Sequence, residues 1–195
     1  SDTDFYIYYG SGASDYADSD TYGAENVWTN GYRGVYHMAD LSDSTSNSRD
    51  LTGSYGTTSS GKTGGALTFN GVDQKVENDS YAGDEDPAIS FELWLKPASD
   101  WTSSSGRKEI IEITDNNNGA FITYDWNNGK LGFYPNLGGS WADCHDYASL
   151  SQDTWYHVSG THDNSTDSQY FYVDGSEFAS LSDSNDISWG SDKLT

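Results

Sequence analysis

Apolar and polar residues alternate most cleanly over 88–97, AISFELWLKP, where Ile89, Phe91, Leu93 and Leu95 fall on one face and Ser90, Glu92, Trp94 and Lys96 on the other. A period of two is the mark of a strand with one buried face, and Pro97, which lacks the N–H a ladder needs, ends it. Similar runs predict strands over 109–114, 120–125, 130–134, 154–162 and 169–174. Two shorter ones are expected upstream: the aromatic and β-branched run DFYIYY over 4–9, stopped by Gly10, and a strand over 34–38 that follows an Asn30-Gly31 turn. Clusters of Asn, Asp and Gly, such as Asp115 to Gly119, Asn127-Asn128-Gly129 and Asp174-Gly175, punctuate the runs. The stretch 42–62 is polar, rich in Ser and Gly, and reads as loop, and no segment shows a helical period. Many short strands separated by turns predict an all-β sandwich or jelly roll.

The chain of 195 residues is long enough for one such domain with its own core. The expected organisation is an N-terminal strand and linker over 1–25, then the sandwich over 26–195. Charge changes the picture more than length does: 31 acidic residues against 9 basic ones give a formal net charge of -22. Such a surface repels itself in dilute buffer. At molar salt the screening length falls to about 3 Å, so a halophilic origin is expected. Seven Trp, fifteen Tyr and seven Phe provide the apolar area that a disordered acidic chain lacks. The absence of a basic patch argues against nucleic acid as a partner, because binding a phosphate backbone relies on clustered Lys and Arg. With Cys144 as the single cysteine, neither an intrachain disulfide nor a cysteine-based zinc site can form. No run approaches the about 20 apolar residues of a membrane helix, so insertion into a membrane is not expected. A start at Ser1 with no leader-like apolar segment reads as a processed or excised product. The triplets Asn78-Asp79-Ser80 and Asn164-Ser165-Thr166 fit a secreted protein, but chance supplies such triplets in a chain this rich in Ser, Thr and Asn.

The motifs GGALTFNGVDQKVE from Gly64, AISFELWLKP from Ala88, NNGKLGFY from Asn127, TWYHVSGTHD from Thr154 and YFYVDGSEFAS from Tyr170 occur in one order. In that order they resemble the LamG-like family of concanavalin A-like lectin/glucanase sandwiches, over roughly 33–190. The resemblance implies a jelly-roll sandwich of two antiparallel sheets. The upstream DFYIYYG and NVWTNGYRGVYHM resemble the tail of a domain of unknown function that precedes such domains in archaeal and bacterial surface proteins. Members of the family close with one more strand after the region matching 187–195, and the chain stops without it. Three accounts stay open: a longer parent protein, a strand supplied by DFYIYYG in cis or from a neighbouring copy, or a different terminal topology.

The same superfamily contains hydrolases that place two carboxylates on one sheet face. Glu109 and Glu112 are the one pair within a strand, but a spacing of three should send them to opposite faces, so no catalytic residue is expected. His37, His145, His157 and His162 are scattered, and no Gly-x-Ser-x-Gly elbow exists. Asp143, Cys144, His145 and Asp146 read as a solvated loop rather than as a metal cluster. Calcium is the ion the resemblance suggests: DSTSNSRD aligns with a family loop that sometimes holds it, which makes Asp43, Asn47 and Asp50 the ligands to test and Asp73 a second choice. Against this stands an ordinary Asp-rich turn.

Sugar recognition would use exposed indoles in loops or at strand ends, and Trp101, Trp126 and Trp141 occupy such places, each with rim packing as the competing role. Trp94 and Trp155 lie inside strand motifs and are assigned to packing. The expected function is a non-catalytic carbohydrate- or cell-surface-recognition module of an extracellular protein, with a glycan or surface glycoprotein as partner. The alternative is a structural subunit or decoration of a surface filament, adhesin or virion that associates with itself or with other chains. A glycoside hydrolase is third.

Overall fold

The computed structural model describes residues 17, 19–21, 23–58, 60–79, 81, 88–102, 107–115, 118–125, 129–147, 149–189 and 193–195. The DFYIYY segment lies outside them. In chain order the strands are β1 (Thr52–Gly53), β2 (Gly56–Thr58), β3 (Ala66–Thr68), β4 (Val76–Glu77), β5 (Ala88–Leu95), β6 (Lys108–Asp115), β7 (Asn118–Asp125), β8 (Lys130–Leu137), β9 (Ser140–Trp141), β10 (Cys144–Tyr147), β11 (Tyr156–Asp163), β12 (Ser168–Val173), β13 (Ser176–Ser182) and β14 (Lys193–Leu194). Ala24–Val27 forms one helical turn, a small departure from the expected helix-free chain.

Two antiparallel sheets form the sandwich. One runs β10-β8-β7-β6-β14, with β9 added to β8, and the other runs β13-β12-β11-β5. The two-stranded pairs β1-β4 and β2-β3 complete the set. Alternation decides which side chains meet between the sheets. Ile113, Ala120, Ile122, Tyr124, Leu131, Phe133, Leu137 and Cys144 point inward from one, and Phe91, Leu95, Tyr156, Val158, Phe171 and Val173 from the other. Phe91 and Phe133 meet edge to face across the gap, with ring centroids 6.1 Å apart. Gly160, on β11, makes room for Phe133: a Cβ there would fall 2.5 Å from its ring.

Three expectations are corrected. The strand expected to end at Tyr134 continues through Pro135 to Leu137, because the chain across from it changes from β10 to β9 and the Pro135 carbonyl accepts from the Ala142 N–H at 2.8 Å. The stretch 42–62, read as loop, contains β1 and β2. The presumed loop around Cys144 is an edge strand, and the pleat sends Cys144 into the core and His145 to the opposite face, so the two cannot share an ion. At the chain's C-terminal side, β14 pairs with β6, and Leu194 also bridges to Asn78 beside β4. β5 has β11 on one side and, among the described residues, no ladder partner on the other.

Candidate functional site

The six-stranded sheet has a second, outward face that is also rich in aromatic side chains. Directly opposed residues of an antiparallel pair share a face. The register therefore sets His145, Gly132, Thr123 and Glu109 in one row and Tyr134, Phe121 and Glu112 in the next. Trp141 lies opposite Asn136 on the same face. The rings are in contact: Tyr134 stacks on His145 at 5.5 Å and on Phe121 at 5.4 Å, and Phe121 meets Trp141 at 4.7 Å between centroids. Phe121 and Tyr134 are only 8% and 3% exposed, whereas Trp141 is 38% exposed at the end of the array. The Arg107 guanidinium lies 5.1 Å above the Phe121 ring and 3.3 Å from the Glu109 carboxylate. Gly132 keeps this face passable, since a Cβ there would lie 2.2 Å from that of His145.

Glu109 and Glu112 do not point to opposite faces. Glu109 pairs with Thr123 and Ile111 with Ile122, so Ile110 is an extra residue in β6, and this bulge returns Glu112, opposite Phe121, to the side Glu109 occupies. A spacing of three separates the faces only in a regular strand, and β6 is not regular at Ile110. The one sequence trace of the bulge is the doubled Ile110-Ile111, which breaks the alternation. Glu112 holds its proton above the ordinary carboxylate range, first because it is partly buried and second because Glu109 is close, with Arg107 opposing the shift.

Of the indoles chosen from sequence, Trp101 and Trp141 do not converge. Trp101 is half-buried; its ring packs 5.8 Å from Tyr124, on the core side of β7, and its backbone bridges Leu150. Trp141 rests on Phe121, on the opposite side of the same strand. Trp126 lies outside the described residues. Trp94, assigned to packing, instead stands outward from the four-stranded sheet and is 40% exposed.

The Asp43 loop is organised by its own backbone. Asp43 Oδ1 accepts from the N–H groups of Val35 and Thr45, both at 3.0 Å, and Oδ2 accepts from the Thr45 hydroxyl at 2.8 Å and the Arg49 N–H at 3.0 Å. Partial burial alone would raise its pKa, but these bonds outweigh it and hold the carboxyl below its ordinary value. Asp50 accepts from the Asp43 N–H at 2.9 Å, and the Asn47 amide donates to the carbonyls of Tyr32 and Arg33. Asp73 accepts from the Asn70 amide within its own turn. Among the described residues no group of three or more His, Cys, Asp or Glu side chains is placed to hold a metal ion.

A jelly-roll sandwich with an aromatic outer sheet face places the chain among the lectin-like β-sandwiches. Residues 69–195 match the Laminin_G_3 family of the concanavalin A-like lectin/glucanases superfamily, and the chain belongs to that family. The fold is similar to domain 4 of AbnA, a GH43 extracellular arabinanase from Geobacillus stearothermophilus, solved in complex with arabinotriose. The TM-score is 0.59 at 22% identity, over 80% of this chain and 76% of that one. It is also similar to the botulinum neurotoxin type G receptor-binding domain, with TM-score 0.57 at 14% identity, over 82% of this chain and 40% of that one. The binding domain of botulinum neurotoxin DC, solved with SialylT, gives TM-score 0.51 at 15% identity, over 78% and 39%. No curated protein matches the chain in sequence.

Proposed function

We propose that this chain is a carbohydrate-binding module of an extracellular or cell-surface protein, and that its site is the outer face of the six-stranded sheet around Trp141. The observation that supports it most is the exposed Trp141 indole seated on Phe121, with Arg107, Glu109 and Glu112 on the same face. An indole offers an apolar platform for a pyranose ring, while a guanidinium and carboxylates satisfy sugar hydroxyls. The arabinanase domain and the toxin binding domain of similar fold were solved with glycans, and that enzyme is extracellular, which agrees with this reading. A glycan array in molar KCl and in dilute buffer, followed by calorimetry on hits, tests it. Trp141→Ala is expected to weaken binding about tenfold, as loss of one aromatic stacking contact would. An array without hits, or unchanged binding by that variant, would refute the proposal.

A second reading has one observation in its favour: the bulge sets two carboxylates on one aromatic face, and Glu112 retains its proton more readily than an ordinary glutamate. That is the pairing glycoside hydrolysis uses. New reducing ends released from a bound glycan, and lost in Glu112→Gln with binding intact, would establish it; their absence leaves a binding module.

A further inference from the structure

The outward face of the four-stranded sheet holds a feature unlike the rest of this acidic surface. Trp94 on β5 lies opposite His157 on β11, with ring centroids 5.1 Å apart. Lys96 and Trp155 follow just beyond that ladder on the same side, displaced by two residues, or about 7 Å of strand. The Lys62 ammonium, from the connection between β2 and β3, lies 4.5 Å from the centre of the Trp94 ring, and the Lys96 ammonium lies 5.3 Å from that of Trp155. Lys75, Arg107 and Lys130 are held by carboxylates. Lys62 and Lys96 are held by indoles and, among the described residues, have no carboxylate within ion-pair distance. In a chain with 31 acidic residues and 9 basic ones, two lysines held by aromatic rings set this face apart, with Glu92 beside His157 and the Asp174 carboxylate accepting from the His157 N–H.

We propose that this face is a second binding site, for polysaccharide bearing carboxylates of the uronic-acid type. The indoles hold the two ammonium groups against the sheet, so little side-chain freedom is lost when they meet two anionic groups of one chain. The indole edges cover the apolar side of the sugar rings. Ser159, next to His157 on the outward side of β11, supplies a hydroxyl for the sugar hydroxyls. Glu92, 3.9 Å from the His157 imidazole, bounds the patch along β5 and directs an anionic chain toward the lysines. The site is independent of the Trp141 face, which lies on the other sheet.

Calorimetry with oligogalacturonate and with its methyl-esterified, uncharged counterpart tests the proposal at about 0.15 M and at about 2 M NaCl, where the screening length falls from about 8 Å to under about 3 Å. The acidic oligomer is expected to bind at least about tenfold more tightly than the ester and to weaken at high salt. Trp94→Ala and the double variant Lys62→Gln/Lys96→Gln should each weaken it about tenfold, while Trp141→Ala leaves it unchanged. Because these side chains stand outward, circular dichroism should show folded variants. Equal binding of the ester, loss of binding on Trp141→Ala alone, or no binding by the folded wild-type chain would each overturn the assignment.

Discussion

Asp43 offers the sharpest test of how the loop at 43–50 is held. Its carboxylate accepts two backbone N–H groups on one oxygen and a hydroxyl and a third N–H on the other. A hydrogen bond to a charged group is worth about 1.5–3 kcal/mol net, but Asp43 is half-exposed, and water can replace part of what a truncation removes. Asp43→Ala should therefore destabilise the fold by about 2–4 kcal/mol, close to the cost of losing a strong helix cap and a second bond. For a chain of this length that lowers the melting temperature by about 5–15 °C. The depressed pKa sets the sign with pH: the contribution is fully present above the unfolded value of about 3.9 and is lost as pH falls through the lower folded value. Urea unfolding of wild type and variant across that range, with and without chelator, measures all of this. Since the protein's own donors fill the carboxylate, chelator should leave the wild-type melt unchanged. A melting temperature that falls with chelator and recovers with calcium but not magnesium would refute this account and identify Asp43, Asn47 and Asp50 as calcium ligands. So would an Asp43→Ala variant as stable as the parent.

Further outcomes follow from the packing. Gly160→Ala should cost about 1–3 kcal/mol in urea unfolding, because its Cβ would sit 2.5–2.7 Å from buried Phe133 atoms; an unchanged midpoint would mean that the ring can withdraw. Glu112→Gln should stabilise the fold near neutral pH by less than about 1 kcal/mol, given solvent screening of a half-buried group. The gain should shrink as pH falls through the raised folded pKa of Glu112 toward its unfolded value, where the native carboxyl is already protonated; a gain that grows with acid would contradict the assignment. The Cys144 thiol, pushed up to about 12 chiefly by burial and also by Glu177, should react with a disulfide reagent only at the rate of unfolding. Rapid labelling of the folded chain would show that β10 opens by itself.

Local pattern determined the long strands and which of their faces enters the core, but it missed β1, β2 and β10 and predicted a strand over 34–38, where Tyr36 makes only a single bridge to Asp43. A period of two is a property of consecutive residues and does not depend on their partners, so Phe91, Leu95, Tyr156, Val158, Phe171 and Val173 could be read as one buried set before any pairing was known. The outward position of Trp94 was legible in the same alternation, beside Ser90, Glu92 and Lys96, although its aromatic character led to a packing role. What local pattern could not reach is where two faces of one strand go. Trp101 and Trp141 look alike in sequence, yet one packs on Tyr124 in the core and the other on Phe121 outside it, because neighbours on β7 alternate between the two sides. The bulge at Ile110 is likewise set by register against Thr123 and Ile122, a long-range match that moves Glu112 across the sheet and assembles a face whose members come from β6 to β10. Alternation thus defined the buried layer, and only strand pairing decided which outward residues became neighbours, since contacts between strands depend on register and not on distance along the chain.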